Sequence, residues 1–88
     1  SIVNILIVDE IFLEMWDYEM IILFNKNYVP VVNTQLNNIK LYRDNALFME
    51  FSGVTDDVGQ LDITVSHPLT GHSYYVKYGS VTSNTESV

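Results

Sequence analysis

The stretch IVNILIVDEIFLEMWDYEMIILF, Ile2 to Phe24, decides the fold. It is apolar except at Asn4, Asp9, Glu10, Glu14, Asp17 and Glu19. Five acids spread through it argue against a membrane span, because each is costly in hydrocarbon. No basic region followed by a small-residue cleavage site marks it as a signal peptide. Glu10, Glu14 and Asp17 recur at i, i+4 and i+7, a narrow stripe on a helix, and Ile11, Met15, Tyr18 and Ile22 follow an apolar stripe at the same spacing. Taken as a single strand, the acids fall on both parities. The spacing therefore predicts a helix from Asp9 or Glu10 to Phe24, with Asp9 as N-cap and Glu10 near the positive end of the dipole. Composition pulls the other way. The stretch has no Ala and many aromatic and β-branched residues, which are poor helix formers, so two strands are the alternative. Ile2 to Val8 lacks a helical polar face and reads as a strand buried on both sides in the middle of a sheet.

Working outward, Asn25-Lys26-Asn27 is a turn cluster, and Tyr28 to Val32 is β-prone but carries Pro30, which confines it to an edge or an extended connection. Asn33 to Asn38 reads as a loop. Ile39 to Phe51 reads as a hairpin with Asp44-Asn45-Ala46 as its loop. That pairing sets Leu41 against Met49, Ile39 against Phe51, Tyr42 against Phe48, Arg43 against Leu47 and Lys40 against Glu50. The loop lacks Gly, so Asn45 is the residue that would take the left-handed position and shift the pairing. Leu61 to Tyr78 reads as a second hairpin about Pro68 to Gly71. In it Val65, Ile63 and Leu61 face Tyr74, Val76 and Tyr78 on an apolar side, and Asp62 opposes Lys77 on a polar one.

The resulting architecture is α+β: a mostly antiparallel sheet covered by one N-terminal helix, with an all-β fold as the alternative. Residues 1–79 form one domain and residues 80–88 a polar, frayed tail. A chain of 88 residues buries only about 60–65 % of its unfolded surface, so extra contacts through oligomerisation are expected.

Charge and chemistry bound the function. The net charge is −7, and residues 1–24 hold five acids and no base. Four scattered Lys and Arg supply neither a phosphate-backbone footprint nor a grip on an anionic membrane. A basic protein partner suits this field. There is no Cys, which removes thiolate chemistry and disulfides and favours a cytoplasmic protein. His67 and His72 flank a hairpin loop, where a metal site would need Asp44, Asp56 or Asp57 brought in by the fold, and Asp56-Asp57 lacks the spaced ligands of a Ca²⁺ loop. No nucleophile elbow occurs, and Glu10 with Glu14 has no visible cleft. No catalytic residue, metal or cofactor is expected. The constellation that remains is Trp16 and Tyr18, with Phe12, beside Glu10, Glu14 and Asp17. Interface centres are enriched in Trp and Tyr, so this group is the expected partner-binding surface, although large aromatics are also ordinary core. The expectation is a small acidic protein-binding module, of the inhibitor, antitoxin or immunity-protein type, that occupies a basic site on a partner. The alternative is a structural subunit of a homo-oligomer or virion-like assembly with the apolar N-terminal stretch as its interface.

Overall fold

In the computed structural model the described residues run from Ile7 to Val88. The strand expected at Ile2 to Val8 therefore lies almost wholly outside them. Ile7 and Val8 belong to no strand, and the Val8 side chain is buried.

The expected helix is absent, and the described fold is all-β. β1 (Glu10–Met15) and β2 (Glu19–Lys26) form a hairpin in which Met15 opposes Met20 and Ile11 opposes Phe24. The reason lies in the turn. Trp16 to Tyr18 connect the strands, and the turn is closed by the Trp16 N–H donating to the Glu19 carbonyl at 2.8 Å. Because Met15 and Met20 are partners, odd positions point inward in β1 and even positions point inward in β2. Ile11, Leu13, Met20, Ile22 and Phe24 are all buried. A single parity counted through the turn scatters the acids, and a 3.6-residue period collects three of them by coincidence. Tertiary pairing of β-branched and aromatic residues then outweighs that spacing.

β3 (Val29–Pro30) and β6 (Gln60–Thr64) lie along the other side of β2, so β1, β2, β3 and β6 make one antiparallel sheet. The second sheet runs β5 (Ala46–Val54), β4 (Gln35–Arg43) and β7 (Ser73–Tyr78), with β8 (Val81–Thr82) and β9 (Glu86–Ser87) sharing the far side of β7. Much of the segment expected as a loop at Asn33 to Asn38 is thus the start of β4.

The β4–β5 hairpin keeps the expected pairs Ile39–Phe51, Lys40–Glu50 and Leu41–Met49. Its tip differs. Asp44 and Asn45 alone form the turn, both at positive φ (51° and 66°), so Arg43 meets Ala46, Tyr42 meets Leu47, and Phe48 bulges out of register.

The expected Leu61–Tyr78 hairpin is also corrected. β6 pairs with β2 and β7 with β4, so the two strands belong to different sheets. Their alternation survives: Leu61, Tyr74 and Val76 are buried in the layer between the sheets, where the Phe24 and Tyr78 rings meet edge-on at 6.3 Å.

Residues after Gly79 are paired and not a frayed tail. Ser83 is buried, donating its N–H to the Val76 carbonyl while its hydroxyl accepts the Val76 N–H, each at 2.8 Å. Asn84 then reaches the opposite sheet. Its Oδ1 accepts the Leu13 N–H at 2.8 Å and its Nδ2 donates to the Leu13 carbonyl at 3.0 Å, closing one side of the sandwich along β1. Among the described residues no helix is long and apolar enough to cross a membrane.

Candidate interaction surface

Pleating puts Glu10, Phe12 and Glu14 of β1 on the outer face of their sheet, opposite the buried Ile11 and Leu13. β2 adds Glu19, Ile21 and Leu23, and β6 adds Gln60 and Asp62. The register sets Glu14 beside Ile21 beside Asp62, and Phe12 beside Leu23 beside Gln60. A shallow groove runs between Phe12, Ile21 and Leu23. The face is thus an apolar strip with Phe12 left 47 % exposed and four carboxylates, Glu10, Glu14, Glu19 and Asp62, around it.

None of the four basic residues joins this face. Lys40, Arg43 and Lys77 belong to the other sheet, and Lys26 has the inward parity of Phe24 at the end of β2. The repulsion leaves a mark on Glu19. Hydrogen bonding to Asp62 and the Asp62 charge, helped by the Glu14 charge, push its carboxyl above the ordinary value.

The five residues singled out from the sequence separate into two places. Glu10 and Glu14 share the outer face of β1, where Glu10 accepts a 3.3 Å bond from the Asn25 amide. Trp16, Asp17 and Tyr18 form the adjoining turn, with Trp16 and Tyr18 about half exposed (54 % and 52 %). Their backbones hold the turn against the β6–β7 connection: the Tyr18 carbonyl accepts from Val65 N–H and the Asp17 carbonyl from Leu69 N–H. Glu10, Glu14 and Asp17 therefore do not line up as one stripe.

Sequence reasoning missed Glu19 and Asp62 as members of the face. Asp62 was expected to oppose Lys77, and only its alternation with the apolar Leu61 and Ile63 marked it as outward.

The other charged loops are self-contained. Asp56 spends its carboxylate on the N–H groups of Val58 and Gln60. His72 Nδ1 lies 2.6 Å from Asp44 Oδ2, and the Ser73 N–H donates to Asp44 Oδ1 at 3.1 Å. The bond from His72, then that from Ser73, holds the Asp44 carboxyl below its ordinary value. His72 thus meets Asp44, but no group of three metal-ligand side chains occurs among the described residues. Comparison with family models, curated proteins and solved structures finds no match.

Proposed function

We propose that this chain is a non-enzymatic protein-binding module, of the inhibitor, antitoxin or immunity-protein type. Its β1-β2-β6 face and Trp16–Tyr18 turn seat on a basic, partly apolar site of a partner protein. The observation that carries this reading is Phe12, half exposed between Glu10 and Glu14, with Glu19 and Asp62 on the same face and no base among them. An apolar centre ringed by one sign of charge suits a partner whose rim is basic: the strip supplies desolvated contact, and the acids steer encounter.

The test uses a synthetic peptide of alternating Lys and Leu titrated into labelled protein. Saturable amide shifts are expected at Phe12, Glu14 and Ile21, weakening as salt shortens the screening length. Glu10→Gln/Glu14→Gln should lower the affinity. Shifts located elsewhere, or an affinity indifferent to salt, would sink the reading.

A second reading, a subunit of a homo-oligomer, is favoured by β5. Among the described residues it ends its sheet and pairs only with β4. Nine residues long, it leaves Leu47 and Val54 exposed and carries no Lys or Pro, the residues that usually blunt an edge.

A further inference from the structure

On the side opposite Asn84, among the described residues, β5 and β6 do not pair with each other. β5 ends one sheet and β6 lies at the edge of the other. Near Gly53 they are in contact, since a Cβ on that glycine would sit 3.0 Å from Leu61 Cδ2. Toward the Asp44–Asn45 turn β5 carries the Phe48 bulge. A cleft of about 480 Å³ opens there, lined by Phe48 and Met49 on one wall and by the Thr64 to Leu69 segment on the other. That volume lies within the roughly 300–1,000 Å³ of small-molecule sites.

Arg43 stands at this cleft with its guanidinium 4.0 Å from the Phe48 ring centroid. No acid lines the cleft, and no carboxylate of the described residues comes within ion-pair distance of Arg43. The nearest acid in sequence, Asp44, is engaged by His72 and Ser73. In a chain of net charge −7 this is a cation without a direct ion pair, its charge felt by the Asp44 carboxyl and its side chain beside the Tyr74 hydroxyl.

We infer that the cleft binds a small apolar carboxylate, of the medium-chain alkyl or aryl-alkyl class. Its apolar body lies against Phe48, Met49, Val65 and Leu69, and its carboxylate takes the planar fork of Arg43, whose donor geometry matches two carboxylate oxygens. One guanidinium balances one carboxylate. A phosphate dianion would bring more charge than this one permanent cation answers, and Phe48, Met49, Val65 and Leu69 offer it no donor. The inference is independent of the acidic face on the other sheet.

The test is a titration of octanoate and, separately, 1-octanol into labelled protein, with hexanoate as the shorter acid. Octanoate should give saturable shifts confined to Phe48, Met49 and Val65 to Leu69, and bind more tightly than hexanoate. The alcohol should bind about tenfold more weakly, the size of one charge-assisted contact. Arg43→Gln should bring octanoate down to the level of the alcohol. The alcohol comparison on the unaltered chain decides the matter if that variant loses its fold. Equal affinity for acid and alcohol, shifts centred on Phe12 and Ile21, or no saturable shift with either acid overturns the inference.

Discussion

Among the described residues, two bonds from the Asn84 side chain to the Leu13 backbone, 2.8 and 3.0 Å long, stand where a further strand would pair along β1. Nothing in the composition of Ser80 to Val88 announces this, because an Asn among hydroxyl residues looks the same in a tail as in a clamp. Asn84→Ala strips partners from a part-buried N–H and C=O, and the expected loss is roughly 1–3 kcal/mol by urea denaturation. A change of only a few tenths would mean that water replaces the amide.

Two carboxyls should bend the stability profile in opposite directions. Asp44 is depressed in the folded state, so its contribution is present above the ordinary 3.8 and lost as pH falls through its lower folded value. Glu19 is raised. Its contribution is present below the ordinary 4.5 and disappears as pH rises through the elevated value, leaving repulsion from Asp62 and Glu14 at neutral pH. Urea midpoints against pH should show Asp44→Asn flattening the acid limb, and Glu19→Gln gaining stability near neutrality but not below about pH 4. The same sign of change in both variants across the range contradicts the assignment.

At the scale of elements, local alternation was legible and partnership was not. Leu61, Ile63, Tyr74 and Val76 declare an apolar parity in the sequence, and they are buried or half-buried as that parity requires. Two such segments joined by a Pro-Gly loop resemble a hairpin equally well when they cross between sheets, since each strand buries the same side chains in either arrangement. The β4–β5 pairing was legible near the core because Leu41–Met49 and Ile39–Phe51 admit only one face inward. It failed at the tip, where Asn45 and Asp44 both accept positive φ and shorten the turn.

For β1 and β2 the turn offered no Gly, Pro or Asn at Trp16 to Tyr18, so the reversal of parity was invisible. The poor helix propensity of the stretch is the local signal that favours strands.

Engineered cysteines separate the two topologies for β6. Ile21 and Asp62 are direct partners on the outer face, so Ile21→Cys/Asp62→Cys should oxidise to an intramolecular disulfide, the Cα spacing of such pairs being suitable. Asp62→Cys/Lys77→Cys, partners only in the hairpin arrangement, should remain reduced as a monomer. Mass spectrometry of the oxidised variants reads the result, and a bond in the second pair instead of the first refutes the crossing between sheets.

For the whole molecule, the apolar residues from Ile7 to Phe24 divide between the core and the surface. Ile11, Leu13, Met20, Ile22 and Phe24 form core, which leaves Phe12, Ile21 and Leu23 on an acidic face and Trp16 and Tyr18 at one end. That face suits a basic partner better than its own copy. Two of them brought together on a twofold axis would set Glu14, Glu19 and Asp62 against the same acids, and like charges in apposition oppose association. If the chain self-associates, the surface that favours it is the edge of β5, where backbone groups can pair with an antiparallel copy and only Glu50 is charged. A domain this small gains much from such an extension, so self-association at micromolar concentration is the expected outcome in sedimentation. Leu47→Lys with Val54→Lys should return it to monomer, since an edge lysine blocks further pairing. Phe12→Lys should leave the oligomer intact while weakening the Lys-Leu peptide. Salt provides an independent check, because pairing through β5 should survive or strengthen as ionic strength rises, whereas the contact steered by Glu10 and Glu14 should weaken. A chain that sediments as monomer at every concentration and salt tested removes the subunit reading and leaves β5 as an ordinary exposed edge. An oligomer broken by Phe12→Lys and untouched by the β5 lysines moves the self-interface to the acidic sheet, and the protein-binding proposal loses its surface.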